Sequence, residues 1–222
     1  MITVHHLENS RSQRILWLLE ELALEYDVKR YERDAETRLA PQELLDVHPL
    51  GKSPVIEHDG TVVAESGAIV EYLLATFDHK NLLPPDGTAE RRDYTYWLHY
   101  AEGTFMPLMV MSLIFNRVEN GPMPFFVRPV ARGIADKVRS LFLAPNIQRN
   151  LAFIEATLAR QRWFAGDSMS GADVLMSMPL EAAAARSGLD AYPAMSAYLQ
   201  RIHALPAYQR ALQRGGPYEL LR

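Results

Sequence analysis

His48-Pro49-Leu50-Gly51-Lys52-Ser53-Pro54-Val55-Ile56-Glu57-His58-Asp59-Gly60-Thr61-Val62-Val63-Ala64-Glu65-Ser66 is the stretch on which the fold turns. Two short β-branched runs, 55–58 and 61–64, flank Asp59-Gly60, a pair that tolerates the positive φ a two-residue hairpin turn demands. An antiparallel hairpin is expected there. Pro54 lacks an N–H and restrains Ser53 to an extended backbone, which leaves the Ser53 amide and carbonyl free to pair with an added strand. After the hairpin, Ile69, Tyr72, Leu73 and Phe77 mark an amphipathic helix beginning near Ser66.

Working back toward the start, residues 2–7 (Ile-Thr-Val-His-His-Leu) read as a buried strand followed by the polar turn Glu8-Asn9-Ser10. Ile15, Leu18, Leu19 and Leu22 place one apolar stripe on a helix over 11–23, with Ser10 at or just before its start. A second strand at 27–31 makes a strand–helix–strand unit whose length argues for a parallel pair. The order is therefore βαβ, a connecting segment, then ββα.

Working forward, Asn81-Leu82-Leu83-Pro84-Pro85-Asp86-Gly87 is rich in turn formers and reads as a linker over 81–87, between a first domain over 1–80 and a second over 88–222. The second carries helical periodicity only, with long stretches at 88–117 and 127–160 and shorter ones at 171–187 and 193–204. The expected class is α/β followed by all-α.

Composition narrows the chemistry. Of 222 residues none is cysteine, so disulfides, thiolate metal ligands and a protein thiol nucleophile are excluded, and any sulfur must come with a ligand. The 23 basic and 27 acidic residues give a net charge of -4, without the basic excess that nucleic acid demands. No uninterrupted apolar run approaches the roughly 20 residues that span a bilayer, and residues 1–5 show no basic-then-apolar leader. A cytoplasmic protein without nucleic-acid or membrane partners is expected. His5 and His6 alternate across a strand and cannot both ligate one metal, so packed histidines and no metal site are expected.

Three stretches, in this order and spacing, resemble the glutathione S-transferase family, of bacterial type, over essentially the whole chain. Ser10-Arg11-Ser12-Gln13-Arg14 is similar to the serine-type catalytic turn, His48 through Val55 to the segment presenting a cis proline, and Glu65-Ser66 to the glutamyl-binding pair. Ser170-Gly171-Ala172-Asp173 is similar to the family's buried helix cap, a folding element worth roughly 0.5 to 2 kcal/mol and not a catalytic dyad. The resemblance implies a thioredoxin-like N-terminal domain, an all-helical C-terminal domain, a cis Ser53–Pro54 bond, a homodimer and a role in detoxification. Glutathione is implied as co-substrate, with no separate cofactor.

Glutathione carries carboxylates at both ends and a thiol between them. The first amides of the helix after Glu65, with the Ser66 hydroxyl, suit the γ-glutamyl carboxylate, and Glu65 suits the ammonium. Ser53 and Pro54 suit the cysteinyl backbone, and Lys52 with His48 the glycyl carboxylate. A free thiol near pKa 8.5 needs about 2.7 kcal/mol to ionise two units lower. One charge-assisted hydrogen bond supplies roughly 1.5 to 3 kcal/mol and a helix N-terminus about 0.3 to 1, so a serine donor at Ser10 suffices. Ser12 competes for this role; Ser10 is placed ahead because the family's turn sets serine four residues before the arginine, here Arg14.

A small hydrophobic electrophile is expected between the domains, against Tyr100, Phe105, Met106 and Met109 on the first long C-terminal helix. Transfer to an electrophile is the leading activity. Glutathione-dependent peroxidase, dehalogenase or isomerase chemistry, or a non-catalytic binding or dimerisation module on the same fold, are the alternatives.

Overall fold

The computed structural model describes residues 1–216 and 218. Strands β1 (Ile2–Leu7), β2 (Tyr26–Tyr31), β3 (Val55–His58) and β4 (Thr61–Ala64) form one sheet in the order β2-β1-β3-β4. β1 and β2 run parallel, with Ile2 opposite Tyr26 and Leu7 opposite Tyr31; β1–β3 and β3–β4 are antiparallel. The hairpin turn has Asp59 at φ 48° and Gly60 at φ 80°, the doubly positive geometry that Asp-Gly was expected to supply. β2 begins one residue earlier than its sequence suggests, because Tyr26 is buried and pairs with Ile2.

Helix α1 (Ser12–Glu21) turns Ile15, Leu16, Leu18 and Leu19 into the core. It starts two residues after Ser10, with Arg11 in helical geometry at the cap position, so Ser10 belongs to the turn rather than to the helix. The connecting segment contains a short helix, α2 (Gln42–Val47), which the sequence reading left out; only Leu44 of it is buried, too little apolar signal to register. Helix α3 (Ser66–Phe77) packs Ile69, Val70, Leu73 and Leu74 inward.

Beyond α3 every regular element among the described residues is helical: α4 (Ala89–Tyr100), α5 (Met106–Asn120), α6 (Arg128–Val138), α7 (Ala144–Leu158), α8 (Gly171–Ser187), α9 (Pro193–His203) and α10 (Pro206–Gly215). Each of the two long stretches is continuous but carries a π turn, at Ala101–Phe105 and Arg139–Leu143, where Met106 N–H reaches Ala101 O and Ala144 N–H reaches Arg139 O. The run over 89–120 is, by length and composition, apolar enough to cross a bilayer, which corrects the expectation from uninterrupted runs; such a window tolerates isolated charges like Glu102. In this fold 44% of that window is buried. Helix α10 was also unexpected. It packs on α1, with Trp17 and Tyr208 edge-to-face at 5.3 Å.

One core runs through both halves, joining Val4, Leu19 and Leu73 to Trp97, Phe164 and Leu175. The N-terminus of α8 sits at the junction. A Cβ on Gly171 would lie 2.7 Å from Leu74 Cδ1 and 2.9 Å from Val70 Cγ1, so α8 meets α3 at backbone distance. Asp173, fully buried, fixes that end: its carboxylate accepts from Ser170 N at 2.8 Å, Phe164 N at 3.0 Å, Ser170 Oγ at 3.1 Å and Tyr198 OH at 3.3 Å. Burial pushes this carboxyl up to about 6 against the pull of those donors.

Candidate active site

A cleft of about 470 Å³ opens where the sheet's β1 end, the segment before β3 and the start of α3 face the π turn of the α4–α5 run. It is a ligand-sized space. Ser10, His48, Lys52, Ser53, Pro54, Glu65 and Ser66 all line it, together with Asn9, Arg11, Arg33 and Glu102. Its apolar side is made by Met106, Val110 and Met178.

Local folding explains why these groups converge. The Ser53–Pro54 bond is cis, and the Ser53 hydroxyl donates to His5 O at 2.8 Å while accepting from Leu7 N at 3.2 Å, which ties the segment to the end of β1. Ser10 Oγ lies 3.3 Å from Ser53 Oγ and 2.7 Å from Ser12 Oγ, and accepts from Ser12 N at 3.3 Å. Since the Ser53 proton is committed to a carbonyl, Ser53 can only accept from Ser10. Ser12 in turn lies 2.8 Å from His6 Nδ1 and is completely buried. Ser10 therefore faces the cleft and Ser12 stands behind it.

At the other end, Glu65 holds φ 73° and ψ 129° in the cap position of α3, and Ser66 opens that helix beside it on the cleft. Ser66 Oγ accepts from Arg14 at 3.2 Å, so its own proton remains available for an anion. Arg14 is almost completely buried. It donates to Leu175 O at 2.7 Å and to Glu102 Oε1 at 2.6 Å, and Arg11 Nε approaches Glu102 Oε2 at 3.2 Å. Burial would raise the Glu102 carboxyl, but Arg14 and Arg11 together hold it below its ordinary range.

The apolar wall differs from expectation. Of Tyr100, Phe105, Met106 and Met109, only Met106 reaches the cleft. Tyr100 is buried with its hydroxyl donated to Asn150, while Phe105 and Met109 are packed in the core. Val110, one turn beyond Met106, and Met178 on α8 complete the wall instead. Arg33 and Glu102 lie far from every motif in the chain and carried no signal; Arg11, beside Ser10, did. His5 and His6 point to opposite faces, His5 toward Tyr31 OH at 2.8 Å and His6 toward Ser12, and among the described residues no group of side chains is arranged for a metal.

The cleft, with the Ser53–Pro54 segment along it and polar side chains at its ends, lies on a thioredoxin-like domain that faces an all-helical half. Residues 1–75 match the glutathione S-transferase N-terminal domain and residues 135–206 the C-terminal domain. Glutathione S-transferase 1 of Saccharomyces cerevisiae is 36% identical over 217 residues, covering 94% of this chain and 92% of the yeast protein. Glutathione S-transferase 3 of Schizosaccharomyces pombe is 37% identical, covering 82% of this chain and 74% of its own. A crystal structure of a glutathione S-transferase from Actinobacillus pleuropneumoniae superposes with a TM-score of 0.80 at 31% identity, covering all of this chain and 95% of that one. The chain belongs to the glutathione S-transferase family, transferase enzymes whose co-substrate is glutathione.

Proposed function

We propose that glutathione lies along the cleft as an added strand, with its thiolate held by the Ser10 hydroxyl. The carrying observation is the position of Ser10 Oγ, 3.3 Å from Ser53 Oγ beside Pro54, at the mouth of the turn before α1. The Ser53 backbone receives the cysteinyl residue, Ser66 with the first amides of α3 receives the γ-glutamyl carboxylate, and Glu65 its ammonium. Lys52 and His48, joined by Arg33 on the same wall, meet the glycyl carboxylate. The electrophile rests against Met106, Val110 and Met178, and flexible methionines suit varied small hydrophobic shapes. The serine donates and does not attack; sulfur is the nucleophile.

Ser12 is set aside for this role because its hydroxyl faces His6 and has no access to the cleft. Ser10→Ala is expected to lower turnover at least about tenfold with little change in glutathione affinity, since it removes one charge-assisted hydrogen bond. Steady-state kinetics with a haloarene, set beside calorimetric binding of glutathione, tests this; a Ser10→Ala enzyme with full turnover overturns it. A cytoplasmic homodimer doing detoxification is part of the same reading. Val62 on β4 and Tyr96, Ile134 and Leu141 in the helical half are large apolar side chains left exposed on the single chain, which supports a partner subunit. Sedimentation at twice the chain mass is the expected result.

A further inference from the structure

We propose that His6 accepts the proton of the glutathione thiol through Ser12 and Ser10, a buried relay that ends as an imidazolium paired with the thiolate. This rests on the reading of Ser10 given above and goes beyond it by naming where the proton goes. Three side chains stand in line: His6 Nδ1 to Ser12 Oγ at 2.8 Å, Ser12 Oγ to Ser10 Oγ at 2.7 Å, and Ser10 at the cleft. All three are buried. The backbone of Gly215, at the end of α10, favours the charged form of the imidazole. In the tautomer that carries its hydrogen on Nε2, Nδ1, the nitrogen facing Ser12, is the free lone pair of the neutral ring.

Hydrogen directions follow from that tautomer. In the empty site Ser12 donates to His6, and Ser10 is left to donate to Ser12 or Ser53. A thiolate accepting from Ser10 would then leave Ser10 and Ser12 oxygens in contact with no hydrogen between them. The conflict disappears if every proton moves one place. The S–H bond breaks and its proton passes to Ser10 Oγ, the Ser10 proton passes to Ser12 Oγ, and the Ser12 proton forms the new N–H on His6 Nδ1. Each hydroxyl ends intact, and the donors then point in one direction, from imidazolium to Ser12 to Ser10 to sulfur, so that each bond polarises the next.

The surroundings suit an acceptor that is neutral until needed. Burial, then the charge of Arg30, holds the imidazole below the ordinary histidine range, with the Gly215 backbone pulling the other way. Arg30 is the cross-strand neighbour of His6 on β2, and its guanidinium is held by the Arg214 carbonyl on α10; α1 presents the Ser12 hydroxyl, and the uncharged Gln13 side chain lies close to Gly215. A thiolate at the far end of the chain favours the proton on His6, and the ring in turn favours the thiolate.

The test combines histidine-labelled nuclear magnetic resonance of the full protein with ultraviolet titration of the bound thiolate. Glutathione is expected to turn the His6 ring from neutral to doubly protonated near pH 7, whereas S-methylglutathione, which has no thiol proton, leaves it neutral. His6→Asn keeps a hydrogen-bonding partner for Ser12 but cannot take the proton. It should raise the apparent pKa of the bound thiol by about one unit, with glutathione affinity held within about twofold. Its rate deficit should fade as pH rises past that new value. Ser12→Ala should show the same pH-dependent deficit and Ser12→Thr should remove it, so a poorly folded His6 variant does not end the test. Wild-type enzyme that binds glutathione as thiolate while His6 stays neutral overturns the relay and leaves the Ser10 reading standing. Failure of glutathione to bind, or to ionise when bound, overturns both.

Discussion

Asp173→Ala is expected to lower the free energy of unfolding by about 4 kcal/mol, more at pH 5 than at pH 8. The carboxylate is fully buried and gathers four donors from three places: the loop at Phe164, the start of α8 at Ser170, and Tyr198 on α9. Truncation strands two backbone N–H groups away from water, each costing about 1 to 3 kcal/mol, and removes a helix cap worth about 1, while the Tyr198 hydroxyl keeps the Asp173 carbonyl at 3.2 Å. The pH sign follows from the raised pKa. Folded Asp173 titrates at about 6 against an ordinary 3.8, so the folded chain holds the extra proton between those values. That contribution is complete below about pH 4 and is lost as pH rises through 6, so the variant loses most on the acid side. Urea midpoints of both proteins at pH 5 and pH 8 measure it; equal losses at the two pH values would refute the linkage.

Arg14→Leu is expected to cost about 3 kcal/mol and to raise the KM for glutathione more than it lowers kcat. Removing one partner of a buried ion pair costs roughly 3 to 5 kcal/mol. The lower end applies because the Glu102 side chain is 30% exposed and keeps Arg11. The kinetic split arises because Arg14 also holds Ser66 Oγ, the group proposed to meet the γ-glutamyl end, away from the sulfur. Arg14→Lys should restore little, since a point charge cannot reach Leu175 O, Ser66 and Glu102 together. Thermal melts and glutathione titration of initial rates check both parts; an unchanged KM would detach Arg14 from binding.

Much of the sheet was legible because local rules decide it. Asp59-Gly60 dictates a two-residue turn, and the spacing of Ile15, Leu18, Leu19 and Leu22 dictates α1, whatever the rest of the chain does. Helix α10 was missed because Pro206 reads as an ending, although proline suits the first turn of a new helix equally well. The π turns went unread, since periodicity taken over thirty residues averages out a single shift of phase. For the same reason Tyr100, Phe105 and Met109 were set on the cleft: periodicity says that a face is buried and not against what. The groups proposed to contact glutathione stand in short motifs, and those readable stretches supplied most of the candidate site. Arg14 and Glu102, 88 positions apart, and His6 behind Ser12 are partners of tertiary origin, which no spacing records.

The π turn at Ala101–Phe105 carries one more residue than an α-helical turn would, so the remainder of the rod is rotated by about 100° relative to an uninterrupted helix. Met106 and Val110, which follow the turn, meet the cleft with that offset built in. Inserting or losing a single position there would swing the whole bank of side chains round at once. The shape of the cleft's apolar wall is thus adjustable by the length of this turn as well as by the identity of the residues that follow it.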